Sequence, residues 1–178
     1  ARALRRKATP PQGGALTDYE TWALDVSGVV RAWAANFASG VGSVGIWILF
    51  AGRANGIPTA ADLAAVDAHV AALRLVRGAV FAVAPVPAPV DVPIRLTPDS
   101  AALRAAVTAA LAAFLDARDA TSRIRPGLPD APFTVSRTWL SEVISVTAGE
   151  DSHVLMEPSS DLVFQPGELP VPGVIAFV

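Results

Sequence analysis

The sequence predicts an α+β protein made of two small α/β sandwich modules joined by a proline-rich extended segment. Three features carry that expectation. The run Ser43 to Ala51 (SVGIWILFA) is almost continuously apolar and rich in β-branched and aromatic residues, the pattern of a central strand. Two alanine-rich stretches space their larger apolar residues at helical intervals, Leu63, Val66, Val70 and Leu73 in one and Leu103, Val107, Leu111 and Phe114 in the other. Between them, prolines at 85, 87 and 89 alternate with small apolar residues. The resulting order is a linker turn with a short helix over 1–27, a first module β-β-α-β over 28–90, and a second, β-α-α-β-β, over 91–178.

In chain order, Pro10 and Pro11 end whatever precedes them, because each lacks a donor and biases its predecessor away from helix. Gly13 and Gly14 permit a sharp turn. Thr17 and Glu20 have the spacing of a capping box, which starts a helix over Asp18 to Leu24 with Trp22 and Ala23 facing a core. Gly28 breaks that helix, and Val29 to Phe37 reads as a strand. The loop Ala38 to Gly42 then turns a hairpin into the central strand. Thr59 caps the next helix, with Asp62 at its third position, where the helix dipole favours a carboxylate.

The segment from Gly78 to Leu96 reads as an edge strand or an extended tie. Alternate prolines leave one side of such a strand without donors, while Val86, Ala88 and Val90 still donate on the other. Thr97 with Pro98 signals a helix running to about Arg118. Arg123 to Pro132 is a loop. Ser136 caps a helix through Val146, burying Trp139 or Leu140 with Val143 and Ile144. Strands follow at His153 to Met156, Leu162 to Gln165 and Val174 to Val178, the last preceded by Pro170 and Pro172.

Composition narrows the function. The 178 residues are 52% hydrophobic, which argues against disorder. The apolar stretches are interrupted by prolines, Asp91 or Arg104 before reaching the roughly 20 residues of a bilayer span. With no cysteine there is no disulfide framework, thiolate metal site or cysteine nucleophile. Net charge is −2, but Arg2, Arg5, Arg6 and Lys7 hold four of the 14 basic residues. They read as the last turn of a helix that begins upstream, cations at its C-terminal end suiting the dipole. With 7% aromatics and no basic–aromatic interleaving, nucleic acid is not an expected partner, and neither is a membrane.

For chemistry, the acidic cluster Glu150, Asp151, His153, Glu157 and Asp161 offers ligands for a divalent metal or groups for acid–base work. In a strand His153 and Glu157 would share a face. The competing reading is a polar loop and strand edge, and it is preferred. No phosphate-binding glycine loop is present, and serine, histidine and carboxylate residues show no spacing that by itself assembles a triad. No catalytic, metal or cofactor residue is assigned. Arg31, Arg123, Arg125 and Arg137 are candidates for protein contacts, where arginine is favoured.

The opening stretch carries a resemblance. Pro10, Pro11, Gln12, Gly13, Gly14, Asp18, Tyr19, Trp22, Ala23, Gly28, Val29, Arg31 and Trp33, read as PPQGG, DY, W-A and V-x-G-V-x-R-A-W, resemble the phage baseplate J-like family. Looser likeness continues in SRTWLSEVI, in the His-x-Leu-x-x-Pro run at 153–158, and in the closing LPVPGVIAFV. The resemblance implies a tail-baseplate wedge subunit of a contractile-tailed phage, prophage or related injection system, assembled in the host cytoplasm and not an enzyme. It implies no cofactor, and as partners copies of itself and neighbouring wedge or hub proteins. It also implies that the chain is the C-terminal part of a longer protein, with Pro10 to Gly14, Asp18, Tyr19, Trp22, Gly28, Arg31 and Trp33 forming an assembly joint. The alternatives weighed against it are a small metal-dependent hydrolase using His153 and a peptide-binding module pairing through the proline-rich edge.

Overall fold

A computed structural model describes residues 14–36, 38–74 and 79–178. The chain divides into two compact units. One runs up to Pro85 and includes Leu128–Asp130; the other comprises Val86–Gly127 and Ala131–Val178. Helices and strands alternate in both, so the α+β class holds. Among the described residues no helix is long and apolar enough to cross a membrane.

The first unit contains α1 (Leu16–Asp25), β1 (Val29–Asn36), β2 (Ser43–Phe50), a short 3-10 turn (Ala54–Gly56), α2 (Ala60–Leu73) and β3 (Ala79–Val83). Its sheet order is β1-β2-β3, which puts the apolar run in the middle as its composition requires. β1 pairs antiparallel with β2 through the 38–42 hairpin, and β3 pairs parallel with β2. A parallel neighbour needs a crossover, and α2 supplies it. Ile46, Ile48 and Phe50 pack with Tyr19 and Ala23 of α1 and with Val66 and Val70 of α2. Each fully buried Ile or Val there contributes about 1.5–3 kcal/mol, well above the few tenths that separate ordinary residues in intrinsic propensity. A register shift between Val29 and Arg31 swaps the face order of β1, so Val29 joins this core along with Ala32 and Ala34.

Thr59 caps α2 as expected, and Asp62, expected only to suit the helix dipole, completes a capping box: Asp62 N–H donates to Thr59 Oγ1, and Thr59 N–H donates to Asp62 Oδ2 at 2.8 Å. Arg53 grips the same carboxylate with both Nε and Nη2, at 2.8 and 2.9 Å, and holds its pKa well below the usual range. The α2 stripe is shorter than its spacing suggests, since Leu73 is 45% exposed. The Thr17/Glu20 capping box does not form. α1 starts two residues earlier, and Asp18 Oδ2 accepts from the N–H groups of Gly14 and Ala15 at 2.9 and 3.2 Å. Glu20 instead reaches across to accept from Ala34 N–H of β1 at 3.0 Å.

The second unit contains β4 (Val86–Thr97), α3 (Ala101–Phe114), β5 (Phe133–Val135), α4 (Arg137–Ser145), β6 (Ser152–Leu155), β7 (Leu162–Phe164) and β8 (Glu168–Phe177). Its sheets are β6-β4-β8 and β5-β7. This corrects the β-α-α-β-β order to β-α-β-α-β-β-β: Phe133–Val135, between the loop over Arg123 to Pro132 and the helix that Ser136 caps, is a strand paired with β7. The edge assignment of the proline-rich segment also changes. β4 is the middle strand, with β8 parallel along most of its length and β6 antiparallel only at Ile94 to Thr97.

The prolines still behave as their missing donors dictate. Val86 N–H donates to Gly167 O at 2.8 Å, so Val86, Ala88 and Val90 face β8 while Pro87 and Pro89 turn away from it. The same register turns Pro170 and Pro172 of β8 away from β4. That is why β8 begins at Glu168 and runs through both prolines instead of starting after them. Ser100, not Thr97, caps α3, its Oγ accepting from Leu103 N–H at 3.2 Å, because Thr97 is held as the last residue of β4. Leu103, Val107 and Leu111 are buried as the spacing predicts, and Ser136 caps α4, which buries Leu140 and Ile144.

Candidate functional site

Two groups of residues carry the functional question: the joint residues of the first unit and the histidine cluster of the second. Pro10, Pro11, Gln12 and Gly13 lie outside the described residues. The rest of the joint falls into three places. At the head of α1, the Asp18 carboxylate, 6% exposed, pins the backbone at Gly14 and Ala15. A Cβ at Gly14 would stand 3.3 Å from the Tyr19 hydroxyl oxygen, so this turn rests against the Tyr19 ring. Tyr19 is itself in the core, and it meets Trp22 edge to face at 5.2 Å between ring centroids.

Gly28 turns the chain from α1 into β1 at φ +96°, where a Cβ would lie 2.8 Å from the Phe50 ring. The Arg31 guanidinium sits 4.7 Å from the Trp33 ring centroid, two residues apart along β1. This pair alternates with Ala32 and Ala34, which pack with the helices, so Arg31 and Trp33 lie on the other face of the sheet. Glu20 links α1 to β1, and burial pushes its carboxyl pKa up despite the opposing bond from Ala34 N–H. The sequence assigned Glu20 to capping; only the fold reveals its partner, fourteen residues on.

The acidic cluster comes together only in part: Glu150 meets His153, while Glu157 and Asp161 are engaged elsewhere. β6 ends at Leu155, so His153 and Glu157 do not share a strand face. Glu157 Oε2 accepts from Ser159 N–H at 2.6 Å. Asp161 Oδ1 accepts from Arg137 N–H at 2.8 Å and from the Ser136 hydroxyl at 3.0 Å, capping α4 from a distant loop. No group of three or more potential metal ligands converges among the described residues.

His153 has other neighbours. Its Nδ1 lies 2.8 Å from Glu150 Oε1 and its Nε2 lies 2.7 Å from Ser141 Oγ, a residue of α4 that sequence spacing does not single out. Assigning the proton to Nδ1, where Glu150 accepts it, leaves Nε2 to accept from the Ser141 hydroxyl. This carboxylate–imidazole–hydroxyl order is the one used for nucleophilic catalysis. Two features set it apart from such a site. Ser141 is the fifth residue of α4, so its amide is spent in the helix ladder instead of being available to an oxyanion. The His153 and Glu150 side chains are only 9% and 6% exposed. The network ties α4 to β6.

Arg137 and Arg125 are likewise engaged internally. Arg137 donates from Nε to Pro158 O at 2.9 Å and from Nη2 to Leu155 O at 2.8 Å. Arg125 donates from Nη1 to the carbonyls of Pro126 and Ala131, both at 3.1 Å, and stacks over Phe133. A cleft of about 320 Å³ opens beside α3 and α4, lined by Phe114, Arg123, Glu142 and Val143 among others.

Comparison with known proteins adds what the geometry alone does not supply. Residues 11–93 match the Baseplate J-like central domain. That domain takes in the described elements from α1 to β3 and ends inside β4, and it agrees with the resemblance carried by PPQGG and the residues after it. Similarity to the protein JayE of Escherichia coli K12 is 38% identity over 178 residues, covering 99% of this chain and 64% of JayE. The Mu-like prophage FluMu protein gp47 of Haemophilus influenzae Rd is 33% identical over 175 residues, covering 91% of this chain and 45% of that protein. The baseplate protein gp47 of Escherichia phage Mu is 32% identical over 164 residues, covering 86% and 43% respectively. The chain therefore spans about two thirds of JayE and less than half of either gp47.

Proposed function

We propose that this chain is part of a structural subunit of a phage or prophage tail baseplate, built into the wedge by contacts with neighbouring baseplate proteins and with copies of itself around the tail hub. The observation that carries this reading is the joint one of a Baseplate J-like central domain over 11–93 and 32% identity to the phage Mu baseplate protein over 164 residues, which reaches beyond that domain into the second unit. Dispersal of the acidic cluster into separate capping and turn contacts favours scaffolding over the metal-hydrolase alternative. In this reading Gly14, Asp18, Tyr19 and Trp22 stiffen the entry to the first unit, and the Arg31–Trp33 pair offers a cationic–aromatic contact to a neighbour. The subunit is placed in the virion tail baseplate after assembly in the host cytoplasm. The test is mass spectrometry of gradient-purified tail particles after prophage induction. Peptides of this chain banding with sheath and tube proteins at a fixed ratio support the reading. Their confinement to the soluble fraction while tails are recovered overturns it.

A further inference from the structure

Side chains and prolines block donors or acceptors on several outer strand edges among the described residues. On β1, Ala34 N–H is taken by Glu20 of α1 at 3.0 Å, and on β3, Ala82 N–H is taken by Asp67 of α2 at 2.6 Å. In the second unit, Pro87 and Pro89 leave the free side of β4 without donors, and Pro170 and Pro172 do the same for the first half of β8. On β6, the Leu155 carbonyl is taken by Arg137. Blocking an edge in this way prevents unprogrammed strand addition. The second half of β8 carries no such block among the described residues. Past the register shift between Val90 and Val92, Val178 N–H donates to Ile94 O at 3.0 Å, so Val174, Ala176 and Val178 turn their backbone groups to β4. Ile175 and Phe177 therefore point theirs outward, and among the described residues nothing meets them. Val174 and Val178 are 68% and 61% exposed beside this open edge.

We propose that the Gly173–Val178 edge of β8 pairs antiparallel with the same edge of a second copy, centred on Ala176. The sequence of this stretch, GVIAFV, is self-complementary in that register. Ile175 of each copy faces Phe177 of the other, and the two pairs exchange their outward N–H and C=O groups. Val174 faces Val178 of the second copy, so two exposed apolar side chains cover each other, and no charge in the stretch opposes its own image across the two-fold. Pro172 and Pro170 fix the register, because sliding the pair toward Glu168 places donorless positions in the ladder. This rests on the reading above that subunits pack against copies of themselves, and it names the surface they use.

Centring on Ala176 makes it a non-hydrogen-bonded pair with Cα atoms about 4.5 Å apart, within disulfide range. The full-length protein carrying Ala176→Cys is oxidised mildly, both purified and within tail particles, and linked peptides are mapped by mass spectrometry. The expected result is a 176–176 linked dimer at least tenfold more abundant than the corresponding product from Val154→Cys, an exposed position on β6. Adding Ile175→Pro removes one outward donor without touching the β4 ladder, and is expected to cut the linked dimer at least tenfold. Dimer no more abundant than in the Val154→Cys control, or linkage of position 176 to a different polypeptide, overturns the second-copy assignment. Either result leaves the baseplate reading standing if the protein is in the particles. Linkage in the purified protein together with absence from particles would instead keep the edge contact and sink the baseplate reading.

Discussion

Gly28 combines two constraints that no side chain satisfies together: a φ of +96° and a Phe50 ring where its Cβ would be. A left-handed conformation costs an L-residue about 1–2 kcal/mol, and forcing a methyl into a packed site adds about 1–3 kcal/mol. Gly28→Ala is therefore expected to destabilise the protein by about 2–5 kcal/mol. Gly52→Ala, at φ +71° with open space around it, is expected to lose only the conformational part, about 1–2 kcal/mol. Urea midpoints of the two variants check the difference. Glu20 makes a pH prediction. Burial raises its folded pKa above 4.5 and so favours the protonated form. That contribution is complete below the unfolded value and is lost as pH climbs through the folded one. Glu20→Gln keeps an oxygen for Ala34 N–H but carries no charge. Its thermal midpoint should gain on the wild type as pH rises from 4.5 to 7, and a gap constant over that interval would contradict the assignment.

At the scale of elements, the alternation of prolines in β4 predicts opposite outcomes at neighbouring positions. Ala88 faces β8, so Ala88→Pro removes a ladder donor and should cost about 2–4 kcal/mol. Pro89→Ala, on the side without a partner, should stay within about 1 kcal/mol. Equal losses in denaturant titrations would mean the register is wrong. The same elements show what a single sequence reveals. The β2 run, the Thr59 cap and the Leu103–Val107–Leu111 part of the expected stripe, which Phe114 leaves half-buried, were legible because each signal lies within one element. The expected strand at Val174 to Val178 begins six residues earlier, at Glu168, and runs through Pro170 and Pro172, whose tolerance depends on which side the paired strand lies. The Thr17–Glu20 spacing misled because Asp18 reaches the same amides and Ala34 N–H draws Glu20 away. Ser141 and Asp161 acquire their roles from residues 12 and 24 positions distant, a relation no local pattern encodes.

At the scale of the whole molecule, two compact units carry polar networks turned to holding helices on strands, and the chain matches a baseplate central domain over 11–93. A protein built into a tail baseplate, as proposed, is one that tails need there. The most direct measurement is electron microscopy of induced lysates from a prophage strain with an in-frame deletion of the coding region, alongside the complemented strain. The deletion strain is expected to make no tails with complete baseplates, and complementation is expected to restore them. Tails of normal length with intact baseplates in the deletion strain would contradict it.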